Sequence, residues 1–409
     1  MTVPMRDNPT LTVMALSTVG SNNEKRNEQG LAHFLEHMIL KGSRKYPTAY
    51  DISSFFDARG VEFNAFTGAE FTGYYAKGHP KHFKVMLDVI SDLYLHPGLR
   101  SEDLEKERGV IIEEINMYDD LPMAKAGEVL DQLMYGDQPA GRSILGTKDT
   151  IRAIDQTAMK RFHLKNYTAG NTIVVVSGKL PTGGVARSVE GVFGHLPQAT
   201  TRRRTRPKVI QKRPALKIES RSTDQAHLRF GFRAFEAKDR RLPALLVLNA
   251  ILGGGASSRL FQKLREEMGV CYYVGSKVRE HDTYGSLIIS AGVDAGRALE
   301  VVKVITAELD RLRRQEVAKK ELKKAKDYLT GRMLLELETS TGVADFYLDQ
   351  EILKGNLETP DQWSKKIKAV TASDLKRVAG NIFSESKLNL AIVGKIKDEK
   401  SIKKALKFD

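Results

Sequence analysis

The chain has 409 residues, of which 41% are hydrophobic and 28% charged, and its formal net charge is +14. This composition is typical of a soluble globular protein, and the length favours two or more domains over a single core. The single cysteine, Cys271, excludes an internal disulfide framework and is compatible with a reducing compartment.

No targeting or membrane-spanning segment is visible in the sequence. The residues from Met1 to Asp7 lack a basic start followed by an apolar run, so they do not form a secretory signal. The strongest apolar candidate, Ala244 to Leu252, is too short to cross a bilayer and contains Asn249. We therefore expect no membrane span and a cytoplasmic location.

The excess of positive charge is concentrated in one segment. Basic residues without any acidic neighbour crowd the stretch from Arg202 to Arg213. No zinc-finger spacing or RNA-binding aromatic pattern accompanies them. We interpret the stretch as solvated surface and expect no nucleic-acid partner. The alternative, a nucleic-acid binder, predicts salt-sensitive binding of DNA or RNA.

The first half of the chain predicts a mixture of strands and helices. β-Branched residues from Thr10 to Thr18 predict a strand, and the run from Val61 to Lys77 predicts a hairpin around Gly68. Apolar spacing and capping residues predict helices from about Asn27, over Ala49 to Arg59, over His82 to Tyr94, and from Glu102 to about Tyr118 after a cap at Ser101.

The helix that begins near Asn27 carries the five residues from His33 to His37. Positions i and i+4 share a helix face, so His33 and His37 can present their imidazoles to one point, with Glu36 bordering the same face. Two imidazoles and a carboxylate suit zinc and hydrolytic chemistry. The pattern H-x-x-E-H is the inverted form of the common zinc-protease motif, although five residues alone also fit an ordinary surface helix.

A zinc site of this kind needs a third protein ligand. The helix after Ser101 offers Glu107, Glu113 and Glu114. Glu107 and Glu114 share a face because they are nearly two turns apart, whereas Glu113 points about 100° away from Glu114. Helix geometry therefore leaves Glu107 and Glu114 open as ligands, and a solvated acidic helix is the alternative for either one.

The sequence also repeats itself at a fixed distance. The segment Ala153 to Arg161 and the strand Thr172 to Lys179 recur as Ala369 to Arg377 and Leu388 to Lys395, each 216 residues later. A single offset for both segments predicts two copies of an α+β unit of roughly 200 residues.

This duplication sets the predicted domain boundaries. We place the domains at 1–196 and 214–409, with the basic segment 197–213 as the linker. Near an offset of 212, Leu245, Leu248 and Asn249 stand opposite the two histidines and the glutamate of the motif. Because the second copy keeps the helix without the polar residues, the asymmetry favours a function for the motif in the first copy.

The motif, with Glu114 lying 77 residues after His37, resembles the inverted-motif zinc endopeptidases. That family includes pitrilysin, insulin-degrading enzyme and the mitochondrial processing peptidase. Further matching segments are Asn64 to Thr67 with Tyr74-Tyr75, Glu107 to Ile111, and Ser258 to Phe261 with Leu264 to Glu266. The resemblance covers nearly the whole chain and is nearest to the short, two-domain branch of small bacterial peptidases and processing-peptidase subunits.

The resemblance implies the fold and the roles of the motif residues. The fold is α+β: two tandem homologous α/β-roll domains, each an antiparallel sheet with helices packed on it, forming half of a clamshell. His33, His37 and Glu114 are implied as the ligands of one Zn²⁺ per chain. Glu36 is implied as the general base on the zinc-bound water, and Glu107 as a carboxylate that orients a ligand histidine.

A second pair of residues matches the family in the second copy. Arg265 and Tyr272 correspond to an Arg/Tyr pair that contacts substrate and the developing oxyanion, for which a guanidinium and a phenol are suitable donors. The adjacent Tyr273 is the alternative, and the spacing favours Tyr272. A surface arginine and a core tyrosine would also fit this pattern.

The resemblance further implies that substrate binds as a strand. Asn64, Ala65, Phe66 and Thr67 match the family's edge strand, whose backbone pairs with an extended peptide. Phe66 is expected to border the pocket beside the cleaved bond. An ordinary strand with alternating core contacts is the alternative.

These features predict a zinc metalloendopeptidase that cleaves peptides or unfolded segments inside an enclosed chamber. In longer relatives the zinc motif and the Arg/Tyr pair come from opposite halves, so we expect a homodimer, or a heterodimer with a related chain, in which Arg265 and Tyr272 complete a partner's site. The alternative is a non-catalytic scaffold or partner subunit of the same fold.

One departure from the family concerns the first edge strand. The second copy has a strand-like run from Ala215 to Ser220 ahead of its main strands, whereas the first copy has only Met1 to Pro9 there. We therefore expect either a missing edge strand or a true start that lies upstream.

Overall fold

The structure is a computed structural model that describes residues 1–199 and 204–408. Arg202 and Arg203 of the basic stretch lie outside the described residues. The chain forms two compact units, each made of three stretches. The first unit comprises Met1–Asn116, Ser143–Arg204 and Leu334–Gly355, and the second comprises Met117–Arg142, Thr205–Met333 and Asn356–Asp409.

The first unit is built on a five-stranded mixed sheet. Its strands are β1 (Thr2–Pro4), β2 (Leu11–Ser17), β3 (Glu62–Thr67), β4 (Thr72–Gly78) and β5 (Thr172–Gly178). Their spatial order is β1-β5-β2-β4-β3, so β3 is an edge strand. β1 runs parallel to β5, and the other pairs are antiparallel. The predicted hairpin and first strand are confirmed as β3–β4 and β2.

The first half of the chain contributes eight α-helices among its described residues. They are α1 (Leu31–Ile39), α2 (Ala49–Asp57), α3 (Phe83–Leu95), α4 (Ser101–Asp120), α5 (Pro122–Tyr135), α6 (Lys148–Ala153), α7 (Gln156–Asn166) and α8 (Val185–Phe193). The apolar faces of α1, α2, α3 and α7 share one core with the sheet. Phe34, Phe56, Tyr74 and Tyr94 are its largest fully buried side chains.

The second unit repeats this arrangement. Its strands are β6 (Ala215–Glu219), β7 (Gln225–Ala234), β8 (Cys271–Glu280), β9 (Gly285–Asp294) and β10 (Leu388–Val393). Their order, β6-β10-β7-β9-β8, matches that of the first sheet strand for strand, with β6 parallel to β10. The predicted duplication is therefore confirmed at the level of topology.

The second half contributes seven α-helices among the described residues. They are α9 (Leu242–Leu252), α10 (Ala298–Arg314), α11 (Lys319–Glu336), α12 (Ser340–Leu353), α13 (Pro360–Ala369), α14 (Ala372–Ile382) and α15 (Glu399–Ala405). The bounds of α14 and β10 lie 216 residues after those of α7 and the start of β5, as the repeat predicts.

One helix from each half packs in the unit built mainly from the other half. α5 lies against β7 and β10 of the second unit, while α12 lies against β2 and β5 of the first. Leu130 and Met134 of α5 are buried with Val393 of β10. Gly231 of β7 permits this close approach, because a Cβ there would lie 2.4 Å from the Met134 sulfur. The compact units are therefore discontinuous, unlike the ranges 1–196, 197–213 and 214–409 placed from sequence.

Two further expectations need correction. Each sheet is mixed rather than antiparallel, because the edge strands β1 and β6 run parallel to their neighbours. The first copy also has an edge strand, which is short: β1 spans three residues and pairs with Val176, Ser177 and Gly178. In the part of the chain that the structure describes, no helix is both long enough and apolar enough to span a membrane.

The basic stretch is not uniformly solvated surface. Arg204 is buried in the first unit and donates to the backbone carbonyls of Thr18, Glu70 and Ile352 at 3.2, 2.8 and 3.2 Å. Its guanidinium also lies 3.8 Å from the buried Glu70 carboxylate. Arg204 therefore anchors this stretch to the first unit through carbonyl groups that would otherwise lack a donor.

Candidate metal centre

The metal-binding motif lies on α1, whose start is fixed by Gly30 and Glu24. Gly30 adopts φ +88°, and a Cβ there would lie 2.6 Å from the Leu145 carbonyl oxygen, so only glycine fits. The buried Glu24 carboxylate accepts the backbone N–H groups of Gly30 at 2.9 Å and Ala32 at 2.7 Å. An anion at this helix end satisfies otherwise unpaired donors and complements the helix dipole.

α1 buries polar residues within an otherwise apolar helix. His33 is 7% exposed and Glu36 is 9% exposed, and their neighbours Phe34 and Leu35 are fully buried. Burying ionisable groups costs free energy unless they are paired, so packing alone does not account for them. Burial of this kind is typical of functional sites.

The structure brings the predicted third ligand, Glu114 of α4, to both histidines. Glu114 Oε2 lies 3.7 Å from His33 Nε2 and 3.7 Å from His37 Nε2. One ligand atom from each of the three residues lies within 4.8 Å of the others. The two imidazole rings are 4.6 Å apart and steeply inclined, at 68°. Among the described residues, this is the group of three or more such side chains that could hold a metal ion.

The two histidines differ in their electrostatic surroundings. Burial and the neighbouring His37 lower the pKa of His33 to about 4, so its imidazole is neutral near neutral pH. Burial also acts to lower the pKa of His37, but the hydrogen bond with Glu107 and the charges of Glu36 and Glu114 outweigh it and raise that pKa. A neutral His33 is ready to ligate, whereas a metal has to displace a proton from His37.

Glu36 lies in the same buried environment. Burial raises the pKa of its carboxyl group, against the lowering effects of Thr67 and His37, and Glu114 raises it further. A glutamate with a raised pKa is suited to accept and return a proton near neutral pH. Its position on α1 between the histidines places this carboxylate at the edge of the ligand group.

Glu107 contacts the ligand histidine from behind. Its Oε2 atom is 3.1 Å from His37 Nδ1, and its Oε1 atom is 2.6 Å from Lys41 Nζ. Burial acts to raise the pKa of Glu107, but these two partners outweigh it, so the pKa is lowered and the carboxylate stays charged. His33 differs, because its buried Nδ1 atom has no hydrogen-bond partner among the described residues.

The predicted substrate strand is β3, at the edge of the first sheet. α1 packs against it. Side chains alternate along a strand, so Ala65 and Thr67 face one side while Asn64 and Phe66 face the other. Ala65 packs on the core that contains α1, and Thr67 influences Glu36. Phe66 instead lies over Gly73 and against Phe71, on the opposite face.

Arg265 and Tyr272 belong to the second unit, around the turn that precedes β8. Arg265 lies on a π-helical segment, Phe261–Glu267, and donates to the Tyr272 backbone carbonyl at 2.8 Å. The Tyr272 side chain is 70% exposed. In the ladder with β9, Cys271 and Tyr273 are paired and Tyr272 is the extra residue of a bulge. Such bulges redirect a side chain out of the sheet register.

The neighbouring Tyr273 already has a partner. Its hydroxyl group lies 3.0 Å from His227 Nδ1 and its ring stacks on the same histidine. Tyr272 is therefore the tyrosine whose hydroxyl is available to an external ligand, which agrees with the spacing argument.

The matching helix of the second copy has packing residues where α1 has polar ones. Leu245 and Leu248 of α9 are fully buried in the core of the second unit. The two copies thus share a helix position but not its chemistry.

Two contacting residues were absent from the predicted site, Lys41 and Glu24. Lys41 follows His37 by one helical turn, which is a usable signal for a shared face. Glu24 lies six residues before Gly30, outside any local capping pattern, so only the folded loop reveals its contact.

Two family models match consecutive parts of the chain. The model described as "Insulinase (Peptidase family M16)" matches residues 6–148, and "Peptidase M16 inactive domain" matches residues 153–329. The first match contains the whole ligand group.

Several relatives match over nearly the full length. "Uncharacterized zinc protease YmxG" of Bacillus subtilis is 32% identical over 387 residues, covering 94% of this chain and 93% of the relative. An "Uncharacterized zinc protease" of Rickettsia bellii is 31% identical over 391 residues, covering 93% of this chain and 91% of the relative.

Solved structures share the fold at lower sequence identity. A protease from Helicobacter pylori superposes with a TM-score of 0.89 at 23% identity, covering 96% of each chain. A peptidase M16 inactive domain from Pseudomonas fluorescens gives a TM-score of 0.89 at 19% identity, covering 98% of this chain and 96% of that one. Together with the full-length relatives and the two family models, these similarities show that the chain belongs to the insulinase (peptidase M16) family, in its short bacterial-type branch.

Proposed function

We propose that this protein is a zinc-dependent metalloendopeptidase that holds one Zn²⁺ per chain on His33, His37 and Glu114. The observation that carries the proposal is the convergence of these three side chains beside the buried carboxylate of Glu36. The names of the full-length relatives, which are zinc proteases, support it.

The donor set fits zinc. Two imidazole nitrogens and one carboxylate oxygen are the ligands of many catalytic zinc sites, which leave one position open. Ligand atoms about 2.0 Å from a tetrahedral zinc are roughly 3.3 Å apart. The 3.7 Å separations from Glu114 to each histidine are therefore close to what an ion requires. The lowered pKa of His33 favours the neutral form that ligates.

The residues of the chain then have distinct roles in peptide hydrolysis. When bound, zinc supplies a Lewis acid that polarises the scissile carbonyl and makes water more acidic. Glu36 accepts the proton of the attacking water and delivers it to the leaving amine, for which its raised pKa is suited. Glu107 accepts the Nδ1 proton of His37, which leaves Nε2 of that histidine for the metal.

The proposed peptide-binding element is the edge strand β3. Its position at the end of the sheet leaves one side of its backbone without a strand neighbour, as strand addition requires. Thr67, which lies near Glu36, marks the end of the strand closest to the chemistry, and Asn64, Ala65 and Phe66 precede it. The contacts of Phe66 lie on the opposite face, so its proposed place beside the cleaved bond has no support from them.

Substrate backbones can test this strand pairing without altering the protein. Peptides N-methylated at alternating amides should be cut slowly when the methylated edge faces β3, and normally when the other edge carries the methyl groups. Equal cleavage of both sets would contradict strand addition.

Arg265 and Tyr272 are the proposed donors to substrate and to the developing oxyanion. The exposed phenol of Tyr272 and the bulge that turns it out of register support this role. We include a dimer, with an identical or related chain, in which this pair completes the site of its partner.

Metal analysis and peptide digestion test the proposed function directly. The full chain, purified without chelators, should contain close to one zinc and cleave an unstructured peptide library, and His37→Ala should lose both properties. A folded protein with neither zinc nor peptidase activity would favour the non-catalytic scaffold. A cytoplasmic location, in keeping with the single Cys271, remains part of the proposal.

A further inference from the structure

Lys41 is the second charged partner of Glu107. It follows the end of α1 and lies one helical turn beyond His37. Its Nζ atom is 2.6 Å from Glu107 Oε1, with the lysine side chain 34% exposed and the glutamate side chain 7% exposed. The ammonium group thus reaches from solvent to a carboxylate that is almost fully buried.

The two oxygens of Glu107 have separate partners. Oε2 meets His37 Nδ1 at 3.1 Å, and Oε1 meets Lys41. No other hydrogen bond or ion pair of the Glu107 side chain is seen among the described residues. The terminal torsion of a glutamate is broad, so a carboxylate with one partner can rotate, whereas partners on both oxygens fix its plane.

We infer that Lys41 is a positioning residue of the metal centre, acting through Glu107 on His37. By holding one oxygen of the buried carboxylate, Lys41 directs the other oxygen at Nδ1 of the histidine. That hydrogen bond fixes the ring orientation and tautomer, and it presents Nε2 towards Glu114 and the proposed metal. The inference rests on the proposed function, since it requires His37 to be a zinc ligand.

An ordinary surface ion pair nearby provides a matched comparison. Lys45 contacts the Asp88 carboxylate, with side chains that are 50% and 42% exposed. Asp88 makes its other side-chain hydrogen bond to Tyr46, at 3.0 Å, rather than to a ligand histidine. Removing the charge of Lys45 therefore controls for the loss of a lysine in the same segment.

Zinc affinity measured by competition with a chelator tests the inference on the full chain. Loss of an outer partner of a metal ligand costs about 10- to 100-fold in affinity, so one step further out we expect about 10-fold for Lys41→Met. Lys41→Arg should restore affinity to near the wild-type value, because it keeps a charged donor, and Lys45→Met should leave it unchanged. Unchanged affinity in a folded Lys41→Met protein would overturn the inference.

A double-mutant cycle distinguishes action through Glu107 from a general effect. Lys41→Met should add nothing to the loss seen in Glu107→Gln, because the carboxylate that it positions is already gone. Full additivity of the two losses would overturn the route through Glu107. Circular dichroism confirms folding of each variant, and Lys41→Gln replaces the methionine variant if that one does not fold.

The outcomes also separate this inference from the proposed function. If His37→Ala leaves zinc binding intact, the ligand assignment fails and the role of Lys41 fails with it. If His37→Ala and Glu107→Gln weaken binding while Lys41→Met and Lys41→Gln do not, only the inference about Lys41 fails.

Discussion

Glu36, His33 and His37 show how single residues acquire their chemistry from burial. The pKa of Glu36 is raised and that of His33 lowered mainly because α1 buries them among apolar side chains. His37 takes the opposite direction from His33, four residues away, because three carboxylates surround it. One apolar helix therefore presents a proton acceptor, a neutral ligand and a ligand that is partly protonated.

The proposed role of Glu36 predicts a specific defect in Glu36→Gln. The amide keeps the shape of the side chain but cannot accept a proton, so turnover should fall by about 10²- to 10⁴-fold. Zinc content should remain near the wild-type value, since Glu36 is not among the three ligands. Peptide cleavage rates and elemental analysis of the same preparation check this, and wild-type turnover without Glu36 would exclude it as the base.

The two histidine pKa shifts predict how zinc binding depends on pH. Protonated imidazole cannot ligate, so apparent zinc affinity should fall as the pH drops below the raised pKa of His37, which lies above the usual 6.5. His33 adds no competing proton until the pH approaches its pKa of about 4. Binding at about pH 6 should therefore release close to one proton from the histidines, not two.

Calorimetry in buffers of different ionisation enthalpy measures that number. His37→Ala should abolish the proton release along with binding. Release of two protons per zinc at this pH would show that His33 is also protonated and would contradict the assignment.

At the scale of elements, α1 is held at both ends by buried carboxylates. Glu24 accepts two backbone N–H groups at its start, and Glu107 contacts His37 and Lys41 at its end. The four-residue spacing of the histidines matters only if the helix keeps its position relative to α4, which supplies Glu114. These end contacts fix that position.

Glu24→Gln should therefore weaken both stability and zinc binding. The amide can accept only one of the two backbone N–H groups, and a hydrogen bond to a charged group contributes roughly 1.5–3 kcal/mol. The free energy of unfolding should fall by about that amount, and zinc affinity should fall because α1 shifts. Urea unfolding and chelator competition measure the two effects.

Thr48→Ala is the matched control for the helix cap. Thr48 caps α2 by accepting the backbone N–H of Asp51 at 3.1 Å, remote from the ligand group. Its loss should cost about 1 kcal/mol of stability. Zinc affinity should not change. An equal loss of affinity in both variants would mean that the effect of Glu24 is only a general loss of stability.

At the scale of the whole molecule, the two copies of the unit have the same sheet order and different chemistry. The first unit carries the ligand group, and the second carries Arg265 and Tyr272. Leu245 and Leu248 pack in the second core where the first copy has His33 and Glu36. Duplication has thus preserved the fold while each copy has kept a different part of the proposed site.

Mixing two inactive variants tests whether these parts act between chains. If the Arg/Tyr pair completes a partner's site, His37→Ala and Tyr272→Phe proteins mixed in equal amounts should regain about a quarter of the wild-type activity. Half of the dimers are then mixed, and each holds one intact site. Absence of recovery, with subunit exchange verified, would contradict a site shared between chains.

The sequence by itself determined the repeat, the order of elements and the ligand group. The 216-residue offset predicted α14 and β10 from α7 and β5, because a duplicated core keeps its apolar spacing. The spacing within α1 predicted that His33 and His37 share a point, since helix geometry is local. Glu114 was one of two geometric candidates on its helix, and the family resemblance selected it.

Only the tertiary structure decided the contacts that join distant segments. The loop that brings Glu24 to the start of α1, the packing of α5 on β7 and β10, and the burial of Arg204 all depend on non-local packing that no short pattern encodes. The electrostatic difference between His33 and His37 has the same origin. Each pKa reflects neighbours from α4 and the surrounding core, so two histidines in one motif acquire opposite tendencies.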